Sequence, residues 1–68
     1  MSRFEELNVG DVLIGPVTQV VPFGVFVRIA DDADGLLYGE NEPQVGSSVT
    51  VRILEIDTEK RRASLAKA

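Results

Sequence analysis

The stretch Gly24-Val25-Phe26-Val27-Arg28-Ile29 decides the fold of this 68-residue chain. Successive side chains of a strand alternate between its two sides. Val25, Val27 and Ile29 therefore share one face, and Phe26 and Arg28 share the other. The aliphatic face is the one to bury, which leaves Phe26 and Arg28 outside. Upstream, Val12 to Val21 is rich in β-branched residues and reads as a strand, with a bulge expected where Gly15-Pro16 interrupts it. Downstream, Asp31-Asp32-Ala33-Asp34-Gly35 reads as an acidic turn before a short strand, Leu36-Leu37-Tyr38. Residues 39–46 form a loop around Pro43. Val49, Val51 and Ile53 then alternate with Thr50 and Arg52 in a fourth strand running on towards Ile56. Asp57 to Arg61 makes a turn, and Arg62 to Ala66 a fifth strand with Ala63 and Leu65 on one face.

Helical periodicity is nearly absent. Ser2 and Glu5 have the spacing of a capping box, which predicts one helical turn ending near Leu7. Five short strands in so short a chain predict an all-β fold, a closed or nearly closed barrel, because closure hides the edges that a flat sheet exposes. The expected inward set is Val12, Val17, Val20, Val25, Val27, Ile29, Leu36, Val49, Val51, Ile53, Ile56 and Leu65. The whole of 1–68 is a single domain, and a domain of this size buries only ~60% of its unfolded surface.

Composition removes several function classes. There is no cysteine and no histidine, so disulfides, thiolate metal sites and the usual general base are all lacking. No catalytic residue, metal or cofactor is expected. Asp31-Asp32-Ala33-Asp34 lacks the length and closing glutamate of an EF-hand, and reads as solvated surface. No apolar run approaches the ~20 residues of a membrane helix, and the N-terminus has no signal-peptide core. The expectation is a cytoplasmic, monomeric module without a membrane partner. The initial methionine and the absence of a tag favour a complete small protein. Net charge is −4, which argues against binding nucleic acid by bulk electrostatics alone. Residues 1–34 hold six acids against two bases, whereas residues 35–68 hold five of each, with Lys60, Arg61 and Arg62 together. By composition that triplet is a solvated turn.

Three aromatic residues stand out. Phe26 faces away from the valines, Phe23 precedes a bend at Gly24, and Tyr38 ends the neighbouring strand. Gathered on one side with Arg28, their rings form a platform on which bases stack. Alternation leaves a second arrangement open, in which Phe23 and Tyr38 cap the barrel ends and only Phe26 is exposed.

The residues Val9-Gly10-Asp11-Val12, Gly15, Val17, Val20-Val21-Pro22-Phe23-Gly24-Val25-Phe26-Val27 and Asp34-Gly35-Leu36-Leu37 resemble the S-one RNA-binding domain. Val45-Gly46, Val49, Val51, Ile53-Leu54-Glu55-Ile56-Asp57, Arg62 and Ser64-Leu65 continue the match, so the resemblance covers residues 7–67. It implies a five-stranded antiparallel OB-fold barrel that binds single-stranded RNA; single-stranded DNA is a second ligand the same chemistry admits. The family's ring-bearing positions fall on Phe23, Phe26 and Tyr38, and its aspartate and arginine flanking the last turn fall on Asp57 and Arg62.

The chain departs from the family pattern in three places. The connection between the third and fourth strands is short, and Tyr38 stands where histidine is usual. That loop carries Glu40 and Glu42, whose charges repel phosphate. Arg61 replaces the usual glycine of the last turn, so either it adopts a positive φ or the turn differs. The expected function is weak, sequence-tolerant binding of single-stranded RNA in translation or RNA processing, at the ribosome or in an RNA-processing assembly. Phe23, Phe26 and Tyr38 would stack, and Arg28, Lys60, Arg61 and Arg62 would meet phosphates. Neutralising two to four phosphates gives a log–log salt slope of about −1.5 to −3. The competing expectation is a protein-interaction module that has lost RNA. It rests on the acidic balance, the short loop and a small apolar patch at Ile14 and Pro16, provided that bulge geometry does not turn Ile14 inward.

Overall fold

A computed structural model describes residues 4–39 and 43–68. Ser2 of the expected capping box and Glu40 and Glu42 of the acidic loop lie outside the described residues. The chain folds as a closed five-stranded barrel preceded by one 3-10 turn, Phe4–Glu6. The strands are β1 (Val12–Val21), β2 (Gly24–Ala30), β3 (Ala33–Tyr38), β4 (Ser48–Asp57) and β5 (Arg62–Lys67). Their order around the barrel is β1-β2-β3-β5-β4, and β4 closes on β1. Pairing is antiparallel except between β3 and β5, which run parallel. The expected all-β barrel is present, with that one parallel pair as a refinement.

Val17, Val25, Val27, Ile29, Val51, Ile53 and Leu65 fill the interior, with less than 2% of each exposed. Two members of the expected inward set, Val12 and Leu36, face outward; Val20 pairs with the buried Val25 and keeps the inward parity, yet near the end of β1 it remains exposed. The reason lies in where the strands begin and bulge. β3 starts at Ala33 rather than Leu36, so Ala33, Gly35 and Leu37 point inward, and Asp34, Leu36 and Tyr38 outward. Gly35 leaves room for Leu65, whose side-chain carbons would lie 2.7 Å from any added Cβ. In β1 the pairing slips at Thr18, between Val17↔Val27 and Gln19↔Phe26, not at Gly15-Pro16. Gly15 instead permits a close strand crossing: a Cβ there would sit 2.3 Å from the Arg28 carbonyl oxygen. With no slip before Thr18, Leu13 and Val17 share the inward parity, and Ile14 is 70% exposed.

One end of the barrel is closed by the N-terminal turn, a contribution the strand pattern does not reveal. Phe4 is only 3% exposed and joins the core. Arg61 lies over it, its guanidinium carbon 4.9 Å from the ring centroid. The same guanidinium donates from Nη1 to Glu5 Oε1 at 2.9 Å and from Nη2 to Asp32 Oδ1 at 2.8 Å. The turn before β5 keeps a left-handed residue without glycine, since Arg61 has a φ of 53°.

Candidate nucleic-acid interface

The register places the outward side chains of four strands in two parallel rows. Phe26 on β2 pairs with Leu36 on β3, Leu36 with Ser64 on β5, and Ser64 with Glu55 on β4. One step along, Arg28 pairs with Asp34, Asp34 with Arg62, and Arg62 with Asp57. The first row is largely uncharged, and the second alternates cation and anion. A bulge makes the first row possible. Between Ile53↔Leu65 and Glu55↔Ser64 the pairing slips by one residue, so Leu54 and Glu55 are both exposed instead of alternating. Bulges re-aim side chains in this way.

A groove of about 490 Å³ runs over this face. Phe23, Phe26 and Tyr38 line it with Leu36, Ile56, Ala63 and Ser64; its charged members are Asp34, Glu55, Asp57, Lys60 and Arg62. Phe23 and Tyr38 are 55% and 61% exposed, and their rings meet at a centroid distance of 6.3 Å and a tilt of 34°. That spacing joins them into one surface and leaves no slot between them for a base. Phe26 is half-buried beside them. The rings therefore share one side, and the arrangement in which Phe23 and Tyr38 cap the barrel ends and only Phe26 is exposed does not occur.

The charges differ in what already holds them. Arg28 Nε donates to Asp34 Oδ1 at 2.6 Å, and Thr18 Oγ1 lies 3.5 Å from Asp34 Oδ2. Asp57 Oδ1 accepts the backbone N–H groups of Glu59 and Lys60, both at 3.1 Å, fixing the turn that presents Lys60 and Arg62. Arg62 and Lys60 form no ion pair among the described residues. Of the expected site residues, the groove gathers Phe23, Phe26, Tyr38, Asp57, Lys60 and Arg62. It does not gather Arg28, which is tied to Asp34 on its flank, or Arg61, which belongs to the closed barrel end. Asp34, Leu36, Glu55, Ile56, Ala63 and Ser64 were not expected in the groove; the signal for Leu36 and Ser64 is their parity with Phe26 across the strands. No three potential ligands among the described residues cluster as a metal site.

The family model of the S1 RNA binding domain matches residues 6–68. The chain belongs to the S1 RNA-binding domain family. Small ribosomal subunit protein bS1 of Mycolicibacterium smegmatis is 35% identical over 69 residues, covering 85% of this chain and 14% of that protein. The polyribonucleotide nucleotidyltransferase of Thermosynechococcus vestitus is 31% identical over 67 residues, covering 82% of this chain and 9% of that protein. The solution structure of GSP13 from Bacillus subtilis aligns with a TM-score of 0.80 at 29% identity, over 98% of this chain and 58% of that one. This S1 domain thus spans only a small part of the curated relatives. No helix among its described residues is long and apolar enough to cross a membrane.

Proposed function

We propose that the groove binds single-stranded RNA by stacking bases on Phe23, Phe26 and Tyr38 while Lys60 and Arg62 meet the phosphates. The observation that carries this reading is the convergence, on one face of an S1 domain, of three rings and two cations that form no ion pair among the described residues. Stacking tolerates any base, because every base has a π-face. Among the described residues the groove offers two cations without an ion pair, Lys60 and Arg62, so binding is weak, with a salt slope of about −1.4 for single strands. The domain acts as a binding module without a chemical step of its own. Its setting is translation or RNA processing in the cytoplasm, a reading supported by the similarity to a small ribosomal subunit protein and to a polyribonucleotide nucleotidyltransferase. A weak single site gains avidity when it works beside others.

Titrating isotope-labelled protein with a short unstructured RNA at low salt tests the proposal through backbone amide shifts. Shifts are expected at Phe23, Phe26, Tyr38, Lys60 and Arg62, shrinking as salt rises. No shift at millimolar RNA overturns the stacking mechanism. A second reading, protein binding through the outer face of β1 and β4, is favoured by the exposure of Val12, Ile14 and Leu54.

A further inference from the structure

A carboxylate in a groove that meets phosphates weakens binding unless it has a partner, so the three acids of the groove repay comparison. Asp34 is taken up by Arg28 and Thr18, and Asp57 caps its own turn. Glu55 alone of the three accepts no hydrogen bond and forms no ion pair among the described residues. It faces the groove only because the bulge at Leu54 turns it outward, and it stands one strand beyond Ser64 in the row that begins at Phe26. A base lying over Leu36 and Ser64 therefore has the Phe26 ring at one side of its footprint and the Glu55 carboxylate at the other.

We propose that Glu55 reads the Watson–Crick edge of the base in this position and selects guanine over uracil, an inference that rests on the RNA-binding reading above. In single-stranded RNA that edge is free to be read. Guanine presents two adjacent donors there, N1–H and the N2 amino group, and a carboxylate accepts both at once. Cytosine and adenine offer one exocyclic amine each. Uracil offers a single N–H between two carbonyl oxygens, which repel the carboxylate. The groove is thus tolerant along most of the strand and selective at one position. A bidentate pair discriminates between bases by about 5- to 150-fold; at this exposed site the low end, about tenfold, is expected.

The test uses RNA octamers of uridine carrying guanosine, inosine or uridine at one central position, with affinity measured by amide-shift titration. Inosine keeps N1–H and lacks the N2 amine. The native protein is expected to bind the guanosine octamer about tenfold more tightly than the all-uridine one, with inosine between them. Glu55→Gln is expected to bring the guanosine-to-uridine ratio within twofold of unity. Glu59→Gln removes the same charge from the adjacent turn, outside the groove lining, and is expected to keep the native ratio. A native ratio at or below unity, or a Glu55→Gln ratio equal to the native one, overturns the proposal while RNA binding stands. Equal loss of the ratio in both variants also overturns it, assigning the preference to bulk charge. Failure of every octamer to bind overturns the RNA-binding reading, and this inference with it.

Discussion

Arg61 and Arg62 are neighbours in the chain with opposite fates. Arg61 is held by Glu5, Asp32 and the face of Phe4, and it helps to close one end of the barrel. Arg62 begins β5, points into the groove and forms no ion pair among the described residues. The two regions they serve differ in the same way. At the closed end an aromatic ring is buried and the one guanidinium is engaged by two carboxylates, whereas in the groove aromatic rings are exposed and Lys60, Arg62 and Glu55 form no ion pair among the described residues. Net charge is −4 and the groove lining itself holds three acids to two bases, so what its cations offer is contact with individual phosphates and not bulk attraction.

The strongest way to break this contrast is to truncate one aromatic residue in each region. Phe4→Ala removes a buried ring, at a cost of about 3–5 kcal/mol. A core this small supplies about that much in total, so extensive unfolding at 25 °C is expected. Phe23→Ala removes an exposed ring, and its denaturation midpoint should stay within about 0.5 kcal/mol of native. Its RNA affinity should fall by about 1–3 kcal/mol, roughly 5- to 150-fold. Chemical denaturation followed by RNA titration reads both, and comparable unfolding of the two variants would erase the distinction between plug and platform.

The arginines sharpen the comparison on a smaller scale. Arg62→Ala should weaken RNA binding and make the log–log salt slope shallower by about 0.7, the share of one phosphate on a single strand. Arg61→Ala should leave that slope unchanged. It should lower stability slightly through the lost cation–π contact, with little added by ion pairs this exposed. Equal slope changes in the two variants would return Arg61 to the phosphate-binding set.

The barrel was legible from the alternation at Val25–Ile29 and Val49–Ile53, where apolar side chains keep strict parity with the interior. The aromatic face was legible for the same reason, since Phe26 lies on the opposite parity. What periodicity hides is a slip in register. The bulges at Thr18 and Leu54 each insert one residue, and no residue type announces either of them. Placing both Ile53 and Ile56 inward already requires the second slip, but it leaves open whether Leu54 and Glu55 both face out. Leu36 was misplaced because Asp34 and Gly35 resemble turn residues, although both lie in β3. The contact between Phe4 and Arg61 joins positions 57 residues apart, beyond the reach of any local pattern, so nothing near Phe4 marks it as core and nothing near Arg61 marks it as other than a phosphate contact.

The smallest expected effect concerns acid and separates the two regions without a change to the fold. The hydrogen bond from Arg61 holds the Asp32 carboxyl below its ordinary value of 3.8, and Arg61 is raised in turn by Asp32 and then Glu5. A carboxyl lowered in the folded state favours folding while it is ionised. That contribution is complete above the unfolded value near 3.8 and fades as pH falls through the lower, native one. Because Asp32 is exposed, the consequence is a local loosening of the Phe4–Glu6 turn and not global unfolding. An NMR titration from pH 6 to pH 2 should move the ring signals of Phe4 below about pH 3.8. Asp32→Asn should reduce that movement, since its amide has no proton to gain. An undiminished shift in Asp32→Asn would mean that Glu5 alone governs the clasp, and that the positive φ of Arg61 serves a single ion pair.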